Sequence, residues 1–148
     1  MASAIIEAFV IAAIQAMAVP DGAPPVFVAT PVGSRHVIAA ALVGAAASAV
    51  GWRPVFLGGD LPAAEIARAA IDGSALAVAL SVVYADDPSR TLGELLALRE
   101  RLPAHIAVIV GGRAVLPHAR ALGRAGIEVG ETIDGVRTML HDLVGTNR

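Results

Sequence analysis

Four short runs in this chain are apolar at every position instead of alternating with polar residues, and a fifth is interrupted only by Glu128. They are Val26–Ala29, Pro54–Leu57, Leu76–Leu80, Ile106–Val110 and Ile127–Val129. A strand with one wet face alternates, whereas a strand apolar throughout is covered on both faces. Longer segments with helical character separate the runs. Buried strands that alternate with helices form a parallel sheet with helices packed on both sides. Five such units predict a flavodoxin-like (Rossmann-like), doubly wound α/β fold with strand order 2-1-3-4-5, preceded by one extra N-terminal helix.

The intervening segments carry start and stop signals for helices. Ser3 is placed to cap a helix running to about Ala18, and Pro20–Pro25 forms a rigid connector. Arg35–Val50 is Ala-rich and stops before Gly51, a common helix terminator. Pro62 suits the start of a helix over Ala63–Ile71. Asp86-Asp87-Pro88-Ser89 reads as a turn and cap before Thr91–Arg101, where Leu92, Leu95, Leu96 and Leu98 suit one helical face. Leu116–Leu122 and Ile133–Leu143 complete the expected helices. Residues 1–23 are thus an apolar helix with a linker, and 24–148 one α/β domain.

Composition closes several functions. Among 148 residues there is no cysteine, which excludes disulfides, thiolate metal sites and a cysteine nucleophile. All eleven basic residues are arginine, so no P-loop or Schiff-base lysine is present. The net charge is −2 and the arginines are scattered, so no basic stripe marks a nucleic-acid surface. Ala4–Ala18 is strongly apolar, but no basic residue precedes it, and Glu7 and Gln15 interrupt it. The segment therefore reads as a helix, neither a secretory signal nor a membrane span, and the chain as cytoplasmic. Ile5, Ile6, Phe9, Val10, Ile14 and Met17 spread around more than one side of that helix. A helix apolar nearly all round is buried, which predicts a homodimer or docking to a partner helical domain through residues 5–17.

Strand ends in an open parallel sheet share one edge, and ligands bind there beside the switch point. The first strand leads into Thr30-Pro31-Val32-Gly33-Ser34-Arg35-His36. The third leads into Ser81-Val82-Val83-Tyr84, and the fourth into Gly111-Gly112. A histidine, a hydroxyl and small residues would converge in one crevice, which predicts a cofactor pocket. Each residue also has a plainer role. His36 could cap the following helix, Ser81 could satisfy strand-end backbone, and Gly111-Gly112 could simply form a tight turn. Tyr84 sits at the rim or in solvent, and His118 lies just past the glycine pair. His105, His141 and Trp52 read as structural. Gly58-Gly59-Asp60 reads as a turn, with Asp60 capping the helix that starts at Pro62.

These motifs, in this order, resemble the cobalamin-binding domain family. Its pattern is Asp-x-His-x-x-Gly after strand one, a serine after strand three and Gly-Gly after strand four. Ala29-Thr30-Pro31-Val32-Gly33-Ser34-Arg35-His36 and Leu57-Gly58-Gly59-Asp60-Leu61-Pro62 look most like the C-terminal domain of light-sensing MerR-type regulators. The resemblance covers about Pro24 to Leu143. It implies cobalamin as cofactor, held base-off, with His36 as the lower axial cobalt ligand. The nucleotide tail would enter a channel bordered by Gly33, Ser81, Gly111 and Gly112, with Arg35, Ala39, Val83 and Tyr84 nearby.

Ser34 replaces the family's acidic residue, which implies a weaker partner for the imidazole. Ala39 replaces its glycine, and Val37 departs from the methyl-carrying branch. The resemblance also implies a helical bundle over the corrin's upper face, where this chain has one helix before its first strand. A sensor or regulatory module without catalysis is the expected function. Any contact with DNA would come from another chain. The alternatives are a corrinoid carrier subunit of a methyltransferase or mutase, and a degenerate domain that binds haem or only other proteins.

Overall fold

The computed structural model describes residues 2–146. In chain order the elements are α1 (Ala2–Gln15), β1 (Pro25–Pro31), α2 (Val37–Ala49), β2 (Arg53–Leu61), α3 (Ala63–Asp72) and β3 (Ala77–Ser81). Then follow α4 (Pro88–Arg101), β4 (Ala107–Gly111), a 3₁₀ helix (Arg113–His118), α5 (Ala119–Arg124), β5 (Glu128–Gly130) and α6 (Ile133–Thr146). The five strands form one parallel sheet in the order β2-β1-β3-β4-β5. The expected architecture is the observed one.

The sheet is covered on both faces because each central strand is apolar on both. Phe27, Ala29, Val78, Leu80, Val108 and Val110 face a core built with Ile66, Leu95, Leu98 and Leu122. Their neighbours Val26, Val28, Ala77, Ala79 and Ile109 face Val43, Ala47, Val136 and Leu140. So α3, α4 and α5 lie on one side, and α2 and α6 on the other. Trp52 is fully buried, and its Nε1 donates to the Leu140 carbonyl at 2.9 Å, fastening α6 to the start of β2. Its packing role is as expected. Arg99 donates to the carbonyls of Ile106, Leu102 and Pro103 and so closes the α4–β4 loop. Partial burial lowers its pKa from the ordinary arginine value.

Several boundaries differ from expectation. Helix α1 ends at Gln15, not Ala18, and already includes Ala2; the Ser3 side chain lies outside the described residues. Helix α2 begins at Val37, not Arg35. Asp87 caps α4 as expected, its Oδ1 accepting from Arg90 N–H at 3.1 Å, but Pro88 already occupies the first turn. Pro117 lacks a donor, and the stretch around it winds as the 3₁₀ helix before α5.

The largest difference lies in β2. Leu57-Gly58-Gly59-Asp60-Leu61 continues the strand where a turn was expected. Its pairing with β1 runs Val28 to Phe56, Ala29 to Gly58 and Pro31 to Leu61, so β2 carries one extra residue at each step. These are bulges, and they bend β2 toward the loop after β1. Asp60 does not cap α3. Pro62 holds the cap position without a side-chain bond, and the Ala63 N–H is satisfied by Glu94 Oε2 from α4 at 2.8 Å.

No helix among the described residues is long and apolar enough to cross a membrane. On α1, Ile14 is buried, whereas Ile5 and Phe9 remain 71% and 74% exposed.

Candidate functional site

The carboxyl ends of β3, β4 and β5 form a level edge. Ser81 pairs with Gly111, and Gly111 with Gly130. Above this row, on the side of α2 and α6, opens a slot of about 250 Å³. Ser81, Gly111 and Gly112 form its sheet side, with Val83 at the end of β3. Ala39 and Val43 of α2 supply one wall, Ile133 and Val136 of α6 the other, and Glu131 and Thr132 the loop between β5 and α6.

Two glycines of the slot exist for different reasons. Gly112 has φ +112° and ψ 153°, a region essentially closed to other residues, and a Cβ there would fall on the Val82 carbonyl. Its lack of side chain is demanded by the turn itself. Gly111 has no such strain. A Cβ there would meet Val136 Cγ2 at 3.3 Å, tightening the gap between sheet and α6. Ser81 is 3% exposed and lines the slot.

His36 occupies the N-cap position of α2 but makes no capping hydrogen bond, so the capping role does not hold. Its ring is exposed and lines an outer cleft of about 580 Å³, together with Gly33, Arg35, Asp60, Tyr84 and Asp86. Gly33 therefore borders this cleft and not the slot. His36 and the slot are joined through α2, because Ala39 follows the histidine by one turn.

Ser34 does not support the His36 ring. Its Oγ is buried without a hydrogen-bond partner, and its main chain is used instead. The Ser34 carbonyl accepts from Thr30 Oγ1 at 2.5 Å and from the Asp60 N–H at 3.0 Å. Asp60 Oδ1 accepts from the Gly33 N–H at 2.8 Å, and Oδ2 lies 3.7 Å from Arg35 Nε. His118 is half-buried and borders neither cavity, while His105 and His141 are exposed elsewhere. Among the described residues no cluster of three or more His, Asp or Glu could hold a metal.

Sequence reading missed Val43, Val136 and the Glu131–Ile133 segment in the slot, and Asp60 and Asp86 in the outer cleft. For the Glu131–Ile133 segment a signal existed, since the fifth strand ends at the same sheet edge as the third and fourth.

Solved structures share this fold. A cobalamin-binding protein from Desulfitobacterium hafniense superposes with a TM-score of 0.69 at 21% identity, over 84% of this chain and 60% of that one. The monomethylamine corrinoid protein of Methanosarcina barkeri gives 0.72 at 15% identity, over 90% of this chain and 63% of that one. The fold is that of a cobalamin-binding domain. A chain of the methanol:cobalamin methyltransferase complex MtaBC of Methanosarcina barkeri has it too, with a TM-score of 0.69 at 21% identity over 88% of this chain and 50% of that one.

By sequence, the chain is 30% identical over 132 residues to the HTH-type transcriptional repressor CarA of Myxococcus xanthus. That alignment takes in 89% of this chain and 46% of the repressor, so the chain spans about half the length of its curated relative. No protein-family model matches the chain.

Proposed function

We propose that this chain is a cobalamin-binding sensor or regulatory module without catalysis of its own. Cobalamin would be held base-off, with His36 as the lower axial ligand. The carrying observation is the placement at one sheet edge of an uncommitted imidazole and a slot floored by backbone. The residues fit the group. A Cβ at Gly111 would press on Val136, so the slot is as deep as the sheet allows. Its helical walls are apolar, suiting a flat aromatic base, and Ser81 offers a hydroxyl to a ring nitrogen. When bound, the corrinoid supplies a cobalt centre whose axial ligands can exchange. For this chain the task is to hold the tail, present a neutral imidazole, and keep Ser81 directed into the slot.

The regulatory reading draws on the likeness to CarA, with DNA contact left to another chain. A partner or a second copy would cover the apolar residues Ile5 and Phe9 of α1. A corrinoid carrier subunit is the second reading, favoured by the likeness to the two Methanosarcina structures. It alone predicts methyl transfer between the bound cobalt and a partner enzyme.

Mixing the protein with hydroxocobalamin, adenosylcobalamin or haemin and recording absorption spectra tests the proposal. A corrinoid spectral shift that His36→Ala abolishes is expected. An identical shift in His36→Ala would refute His36 as the ligand. A response to haemin alone would replace the cofactor.

A further inference from the structure

We infer that Asp60 is the positioning residue of His36. It pins the loop that delivers the imidazole, acting from the neighbouring strand. The inference rests on the reading of His36 as a ligand, but the pinning itself can be measured without one.

The stretch before Asp60 is shaped to deliver it. Gly58 has φ +120°, which a side chain would resist, and it marks the first bulge. At Gly59 a Cβ would meet Val37 Cγ1 at 2.6 Å and Thr30 Oγ1 at 3.0 Å, so only glycine lets β2 approach the start of α2 this closely. Asp60 itself has φ +58°, one of two non-glycine residues with positive φ among those described. Such a backbone is costly, though Asp and Asn tolerate it better than most residues. It persists because every polar group of Asp60 that faces the loop is used. The backbone N–H donates to Thr30 Oγ1 at 2.9 Å and to the Ser34 carbonyl, and the carboxylate accepts from Gly33.

These bonds grip residues 30, 33 and 34, directly before His36. They fix Gly33 at φ +86°, and with it the angle at which the chain enters α2. The Arg35 contact adds little, because its side chain is 86% exposed and the gap is 3.7 Å. Ser34 contributes no side-chain bond. Two side chains therefore restrain the turn, Thr30 through the Ser34 carbonyl and the Asp60 carboxylate through the Gly33 N–H, and only the second acts from the neighbouring strand. A loop already held in one shape loses less freedom when its histidine engages a ligand.

Asp60→Gly and Asp60→Asn test this. Glycine accepts the positive φ, so the fold is retained while the carboxylate is lost. Asparagine keeps an acceptor for Gly33. Amide hydrogen exchange at Gly33 is the ligand-free measurement, and hydroxocobalamin titration followed by absorption is the second. In Asp60→Gly, exchange at Gly33 should quicken, and cobalamin affinity and the histidine-dependent spectral shift should weaken, each by about tenfold or more. Asp60→Asn should restore both.

Unchanged Gly33 exchange and an unchanged spectrum in Asp60→Gly would overturn the inference, as would an Asn variant that behaves like the Gly one. Wild-type protein that ignores hydroxocobalamin, yet loses Gly33 protection on Asp60→Gly, would sink the cofactor reading and leave the pinning intact.

Discussion

Gly111 and Gly112 are adjacent, both line the slot, and should respond oppositely to the same substitution. For Gly112→Ala the structure gives two costs. Its φ of +112° and ψ of 153° lie where an L-residue loses about 1–3 kcal/mol. The new methyl would also strike the Val82 carbonyl. Relieving that contact pulls on Val82 N–H to Gly111 O at 2.8 Å and Ala114 N–H to Val82 O at 3.1 Å, each worth about 1 kcal/mol. The sum is about 3–5 kcal/mol, or roughly 6–20 °C in Tm for a chain of this size.

Gly111→Ala has neither cost. Its Cβ needs Val136 to yield by a few tenths of an ångström, and strand backbone favours alanine over glycine by up to about 1 kcal/mol. Stability should stay within about 1 kcal/mol of wild type, while the slot loses depth and cobalamin affinity falls. Thermal melts followed by circular dichroism, paired with hydroxocobalamin titrations, separate the two. A Gly112→Ala protein that melts like wild type would refute the steric argument. A Gly111→Ala protein that binds undiminished would refute the assignment of Gly111 to the slot floor.

Other substitutions probe the frame around the site. Trp52→Ala should cost about 3–5 kcal/mol in denaturant unfolding, since a fully buried indole and its bond to Leu140 are removed together. Asp87→Ala should cost about 1 kcal/mol by the same measurement, and Asp87→Asn almost nothing, because only the cap on Arg90 N–H is at stake. Replacing exposed Ile5 and Phe9 of α1 with aspartate should abolish self-association in sedimentation velocity. A wild-type chain that stays monomeric over a wide concentration range would remove the second copy as the cover for that face.

The sheet was legible because its strands are apolar on both faces, a pattern with few other outcomes. Ser81, Gly111 and the His36 loop were legible because a doubly wound topology fixes which strand ends share an edge. What escaped was set by pairing between strands. Gly58, Gly59 and Asp60 have the composition of a turn, and only hydrogen bonding to β1 carries them on as bulged strand. Ser34 looked like a polar neighbour for the imidazole. Its burial follows from Thr30 and Asp60 drawing its main chain inward, an effect of residues 4 and 26 positions away. Glu131 and Thr132 carry no motif, and their one signal was that β5 ends at the same sheet edge as β3 and β4.

The two surplus residues of β2 make its length as constrained as its composition. A side chain in a pleated strand changes face with every step, so deleting either glycine would rotate Asp60 to the opposite side. The carboxylate would then face away from Gly33, although no residue touching the imidazole had been altered. A relative shortened by one residue at this point would need a different anchor for its histidine.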